Sequence, residues 1–336
     1  MLNVFYNPSY FTSIKGSLLI TRRVEFSIFI HILIRLLYIF NLPYPAKITY
    51  TGPQMRMNHL IKTYKRNKNI CFNTHKYSNN YIVQFDYFGE KVLKKIIKKR
   101  TSDTKIIIGP LFKPEMDKVL NQYMKEYSFI KKIVASEAAM EAQKKLHKDL
   151  DLNDVFICPS GIEMEKNLIT SIQSEQKIFD CLIYFKKRDL KELELVKNFL
   201  VKKNISYKVL EYGEYSNNEL IELSNKVKFG FILDKTETQG FAIQYLMSNN
   251  IPLIVWDYTT NEYEGFKIES TSVPWWESEQ CGIKIFNIEE LENKFDHFIA
   301  NLTNYNPVRF VIENLTYEKF RTNLNSLFIN EDIWIN

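Results

Sequence analysis

The chain has 336 residues, enough for two ordinary domains with a core each. Its 45% hydrophobic and 25% charged content is that of a globular protein and excludes a disordered one. A net charge of +6 is too small to point to nucleic acid as a partner, and it suits anionic small molecules or a membrane surface. Cys71, Cys158, Cys181 and Cys281 lack the spacing of a zinc site, and three of them lie in or beside apolar runs. They read as reduced core thiols of a cytoplasmic protein. Asn204, Asn301 and Asn314 head glycosylation sequons that matter only in a secreted chain, and no signal peptide is recognisable.

In chain order, residues 26–40 (FSIFIHILIRLLYIF) are apolar over about fifteen positions, short of the ~20 that a spanning helix takes. Arg23, Ser27, His31 and Arg35 recur every four residues and give a helix there one polar stripe, which is costly in a lone span. A packed accessory helix, an interfacial helix and a span all stay open. Strands are then predicted at 46–53, 69–73, 81–85, 105–112, 131–136 and 154–163. Helices are predicted from about 58 to 66 and at 90–100, 114–127 and 137–149. This alternation predicts a parallel sheet. The helix at 90–100 is amphipathic: Lys91, Lys94, Lys95, Lys98 and Lys99 oppose Val92, Leu93, Ile96 and Ile97. Such a face is either solvated or docks on anionic lipid or an acidic acceptor.

After a polar stretch at 165–177 a second alternating series begins. Strands are predicted at 179–185, 206–213, 226–234, 251–257 and 281–286, with helices at 190–203, 217–225, from Gly240 onward, and at 288–302. Pro307 precedes a terminal helix over roughly 308–327. The first strand of this half runs into Lys186, Lys187, Arg188 and Lys191 at a helix start. Cations there oppose the helix dipole, so their clustering points to a bound anion. Glu237, Gln239, Gly240 and Phe241 lie between a strand and a helix N-terminus. In an open α/β sheet that is where ligands, phosphates especially, bind. Gly240 lets the backbone approach a ligand closely.

The stretch 237–257, ETQGFAIQYLMSNNIPLIVWD, resembles the donor-site motif of retaining GT-B glycosyltransferases, the glycosyltransferase family 4 or "group 1" type. Aligned on Pro252, Glu237 matches the first Glu, Gly240 the turn glycine and Met247 the Met, while Tyr245 stands where the second Glu belongs. Pro-Ser-Gly-Ile-Glu at 159–163 resembles the family's interdomain turn. The resemblance implies two Rossmann-like α/β domains facing across a cleft, with the last helix crossing back to the N-terminal domain. The divisions it gives are an N-terminal segment 1–45, an acceptor domain 46–163, a donor domain 164–305 and a returning helix 306–336. It further implies that Glu237 contacts hydroxyls of the transferred sugar and that Lys186 and Lys191 bind the donor diphosphate, Lys186 standing for an Arg. Arg188 would supply a bidentate fork that lysine lacks. Tyr245 would contact the ribose as a neutral phenol or stack on the base. On the acceptor side the candidates are the Gly52-Pro53 loop, His75 and Asp86, each following a predicted strand. Trp275-Trp276 is either a sugar-stacking platform or a packed loop.

The function implied is transfer of a sugar from a nucleotide-diphosphate sugar to a hydroxyl of a glycan, lipid or protein-linked acceptor, with retention. No metal and no bound cofactor is expected, because basic side chains and a helix N-terminus take the place of Mg²⁺. Location is cytoplasmic, with peripheral membrane contact as an option. Two rivals are a sugar-nucleotide epimerase of the same fold and a non-catalytic member in which Tyr245 marks decay of the donor site.

Overall fold

The computed structural model describes residues 2–5, 52–64, 70–73, 77–112, 117–147, 151–164, 177–263 and 266–330. The segment at 26–40, the predicted strand at 46–51 and His75 lie outside the described residues. The N-terminal domain runs β1 (Leu2–Phe5), α1 (Gly52–Tyr64), β2 (Ile70–Phe72), β3 (Asn80–Phe85), α2 (Tyr87–Lys98), β4 (Lys105–Phe112), α3 (Asp117–Glu126), β5 (Ile130–Val134), α4 (Glu137–Leu146) and β6 (Val155–Ile157). Its six strands are parallel, in the order β2-β1-β3-β4-β5-β6. β3 and β4 are nearly continuous apolar runs because helices cover both faces of the sheet. β1 lies inside this sheet, whereas the sequence reading placed residues 1–45 outside it.

Helix α2 is positioned by Asp86, whose Oδ1 accepts from the Gly89 N–H at 2.8 Å. Leu93, Ile96 and Ile97 are buried while Lys91, Lys94, Lys95, Lys98 and Lys99 are exposed, as the amphipathic pattern requires. An Asp86→Ala substitution should cost about 1 kcal/mol, the usual loss of an N-cap. Asp86→Asn should restore most of it in urea unfolding.

The C-terminal domain continues with β7 (Phe179–Lys186), α5 (Leu190–Lys202), β8 (Tyr207–Glu211), α6 (Asn217–Asn225), β9 (Val227–Asp234), α7 (Phe241–Ser248), β10 (Leu253–Trp256), β11 (Thr260–Tyr263), β12 (Phe266–Glu269), α8 (Ser278–Cys281), β13 (Gly282–Ile285), α9 (Ile288–Ala300), α10 (Pro307–Asn314) and α11 (Tyr317–Ile329). Five strands form a second parallel sheet, β13-β10-β9-β7-β8, and β11 and β12 pair as a separate antiparallel hairpin that the sequence did not signal. The four cysteines are free thiols, three of them buried.

The predicted single terminal helix is two. Thr316 interrupts it, capping α11 through its side chain, which accepts from the Lys319 N–H at 3.2 Å. The cause is tertiary: Ile162 of the interdomain turn donates to the Leu315 carbonyl at 2.7 Å and accepts from the Tyr317 N–H at 3.3 Å. α10 remains in the C-terminal core through Phe310 and Val311. α11 crosses back, burying Phe320, Leu324 and Phe328 against Leu2, Val4, Leu60 and Ile82 of the N-terminal domain.

Candidate active site

In the C-terminal sheet the strand order reverses between β7 and β9, and ligands of such sheets bind beyond the carboxyl ends at that point. Lys186 and Asp234 are the last residues of β7 and β9 and are register partners. Parallel pairing therefore sets both side chains at the crevice. Lys186 Nζ lies 3.3 Å from Asp234 Oδ2 and forms a close ion pair with Glu237 Oε1. It also sits 4.8 Å from the ring centroid of the exposed Tyr212. Lys186 is 8% exposed and Asp234 is wholly buried. Burial alone would lower the pKa of Lys186, but Glu237 and Asp234 more than offset it and hold the ammonium above its ordinary range. Burial, then Glu237, push the Asp234 carboxyl up to about 8, against the pull of Lys186. Glu237 and Lys186 thus act on the Asp234 carboxyl in opposite directions.

The loop from Glu237 to Gly240 is fixed on two sides. Behind it, the Glu237 N–H donates to the Thr271 carbonyl at 3.0 Å. Thr271 is itself held by Asp257, whose Oδ2 accepts from Thr271 Oγ1 at 2.6 Å and from Lys284 Nζ at 2.8 Å. In front, three contacts come from the N-terminal domain. Arg56 Nη2 donates to Thr238 Oγ1 at 2.8 Å. Gln239 Oε1 accepts from the Ser160 N–H at 3.1 Å, and its amide nitrogen donates to the Ser160 carbonyl. His59 Nε2 lies 3.1 Å from the Tyr245 hydroxyl, and its ring packs edge-on to Phe241 with centroids 4.9 Å apart. Burial, then Lys62, drop the His59 pKa to about 3, so the imidazole is neutral at physiological pH. Gly240 has φ +77°, the left-handed region that glycine tolerates, and as the N-cap of α7 it makes no side-chain cap bond. The first-turn N–H groups of α7 are a ready anion site.

No protein-family model matches the chain. No curated protein sequence matches it either. Solved structures do. A TarM variant from S. aureus, in complex with fondaparinux, alpha-GlcNAc-glycerol and UDP, superposes with a TM-score of 0.50 at 14% identity, over 81% of this chain and 59% of that one. The GtfA/B complex gives a TM-score of 0.50 at 11% identity, over 87% of this chain and 62% of that one. The fold is GT-B. The chain spans about three fifths of the length of these two structures. A UDP-GlcNAc 2-epimerase from Neisseria meningitidis bound to UDP-GlcNAc gives a TM-score of 0.40 at 12% identity, over 98% of this chain and 99% of that one.

The structure joins Lys186 to Glu237 and sets Gly240 and Phe241 at the adjoining start of α7, whereas the other described residues that the sequence nominates have different surroundings. Arg188 is not a free fork. Its guanidinium pairs with both oxygens of Glu192 at 2.6 and 2.8 Å and donates to the carbonyls of Asp234 at 3.2 Å and Trp256 at 2.7 Å. It also stacks between Trp256 and Tyr258, so it braces the ends of β9 and β10. Lys191 is exposed in the first turn of α5, which Asp189 caps. Gln239 clamps the interdomain turn, as described above. Tyr245 is likewise engaged with His59.

On the N-terminal side, Gly52 is the first residue of α1, not a loop residue. Pro53 fits there because a first-turn residue needs no N–H. Asp86 is an N-cap and 3% exposed, which explains its place after β3 without an acceptor. The Trp275 indole donates to the Ala135 carbonyl at 2.8 Å, an interdomain contact. Among the described residues no group of His, Cys, Asp or Glu is arranged to hold a metal ion. The chain also carries an Asp149-Leu150-Asp151 spacing. Asp151 caps a short turn through the Asn153 N–H at 2.9 Å, and residues 148–150 lie outside the described residues. No helix among the described residues is long and apolar enough to cross a membrane. Sequence reasoning missed Asp234, Arg56 and His59. Asp234 was visible as a strand-terminal carboxylate, whereas nothing local marks the other two.

Proposed function

We propose that the protein is a glycosyltransferase that takes its sugar from a nucleotide-diphosphate donor. The observation that carries the reading is the Lys186–Glu237–Asp234 cluster at the switch point of the C-terminal sheet, beside the N-terminus of α7. A diphosphate entering there meets a buried ammonium and oriented N–H groups, which stabilise the negative charge of the departing nucleotide. As the phosphate takes over Lys186, Glu237 is released from its ion pair and accepts hydrogen bonds from sugar hydroxyls. Lys191 adds charge at the rim of the site. The same reading includes retention at the anomeric carbon, a hydroxyl acceptor on a glycan, lipid or protein, no metal, and peripheral contact with a membrane through the lysines of α2.

One observation favours a second reading. Tyr245 stands where a ribose-binding carboxylate belongs by the resemblance, and its hydroxyl is engaged with His59. A non-catalytic member whose donor site has decayed, serving as a binding partner, would dispense with that carboxylate.

The test is a thermal-shift panel of nucleotide sugars and nucleoside diphosphates without metal, followed by transfer assays on the hits. A donor at a hundred times its dissociation constant should stabilise by about 2.7 kcal/mol. Glu237→Gln should keep diphosphate binding and lose transfer at least 100-fold. A flat panel, or binding without turnover, in the unmodified protein would remove the first reading and select the second.

A further inference from the structure

Helix α1 places Arg56, His59 and Lys62 three residues apart along its length; the first two reach the other domain and the third reaches the interdomain turn. Arg56 meets Thr238, His59 meets Tyr245 and Phe241, and Lys62 pairs with Glu163 at 2.8 Å. Arg56 is 9% exposed and, unlike the other two, lies in the field of Glu237. Burial lowers its pKa to about 10 while the Glu237 carboxylate supports the charge. Glu237 thus pairs with Lys186 from its own domain and acts electrostatically on Arg56 from the facing one.

We propose that Arg56 is a positioning residue of the donor site, which aligns Glu237 by holding Thr238 to the N-terminal domain. The inference rests on the donor-site reading above. Thr238 directly follows Glu237, so fixing its side chain limits the backbone torsions that aim the Glu237 carboxylate. The other side of the loop is already anchored through Thr271 and Asp257. Without Arg56 the Thr238 side chain loses its hold on the N-terminal domain, while the Lys186 ion pair remains to draw the carboxylate away from a sugar. Alignment of the sugar contact then depends on the two domains being together, and diphosphate binding through Lys186 and α7 does not. Small misplacements of a contacting group are expensive in rate.

The experiment separates these steps. Arg56→Met should lower kcat for sugar transfer about 100-fold while the dissociation constant of the matching nucleoside diphosphate, measured by calorimetry, stays within threefold. Arg56→Lys should recover at least tenfold of that loss, because a cation returns beside Glu237. Thr238→Val should reproduce the loss, Thr238→Ser should not, and Arg56→Met combined with Thr238→Val should be no worse than either alone. An Arg56→Met protein with unchanged kcat, or with kcat and diphosphate affinity falling together, would overturn the assignment. If the unmodified protein binds no nucleoside diphosphate, the donor-site reading itself fails and takes this inference with it. Binding and transfer by the unmodified protein, matched by Arg56→Met, would sink the inference alone.

Discussion

Lys186→Ala should weaken nucleoside diphosphate binding about 10- to 100-fold, the equivalent of the ~1.5–3 kcal/mol of a hydrogen bond to a charged group. The same substitution should destabilise the protein, because it leaves Asp234 and Glu237 facing each other without their shared cation. Breaking a buried ion pair costs about 3–5 kcal/mol. The lower end applies here, since the Glu237 side chain keeps 19% of its exposure. The pH dependence follows from Asp234, whose carboxyl is raised in the fold by burial and by Glu237. A raised carboxyl contributes stability that is fully present below the ordinary Asp value and is lost as pH climbs to about 8. In Lys186→Ala the one cation that lowers Asp234 is gone, so its stability continues to fall above that point. The deficit between variant and unmodified protein should be smallest near pH 6 and grow toward pH 9 in urea unfolding. A deficit that shrinks with rising pH would refute the downward pull of Lys186 on the Asp234 carboxyl.

The same cluster shows what the sequence could carry and what it could not. β3, β4, β7 and β9 are legible because a strand buried on both faces is a run of apolar residues, and Lys186 and Glu237 are legible because they follow such runs. β1 is four residues long, too short to stand out before its neighbours are known. β11 and β12, TNEY and FKIE, pair with each other outside the two main sheets and so lack a strong pattern. The break at Thr316 has no local cause, since the turn that intrudes at Ile162 comes from the far side of the chain. Arg56 and His59 sit in an unremarkable helix, and their partners lie 182 and 186 positions away. Arg188 was misread for the opposite reason. A basic residue in a turn is visible, but the Glu192 fork and the two carbonyls that consume its donors are apparent only once β9 and β10 stand beside it.

Gly161→Ala is expected to act at the seam between the domains, although the change is one methyl group. A Cβ on Gly161 would sit 2.3 Å from the Thr316 carbonyl oxygen and 2.6 Å from the Tyr317 nitrogen. Both are backbone atoms, and they belong to the second of the two chain passes that connect the domains, so no side-chain rotation relieves the contact. The passes must separate, breaking the Ile162 hydrogen bonds to Leu315 and Tyr317 and loosening the grip of Gln239 on Ser160. Overpacking of this kind costs up to about 3 kcal/mol. Because the damage lies at the seam and not in either core, the two domains should lose their coupling before they lose their folds. Calorimetry should then resolve two transitions where the unmodified protein gives one. Under the donor-site reading, diphosphate binding would survive in the C-terminal domain while sugar transfer, which needs Arg56 and Thr238 in register across the cleft, would fall. A single transition with transfer intact would mean that the crossing at Gly161 does not set how the domains face each other.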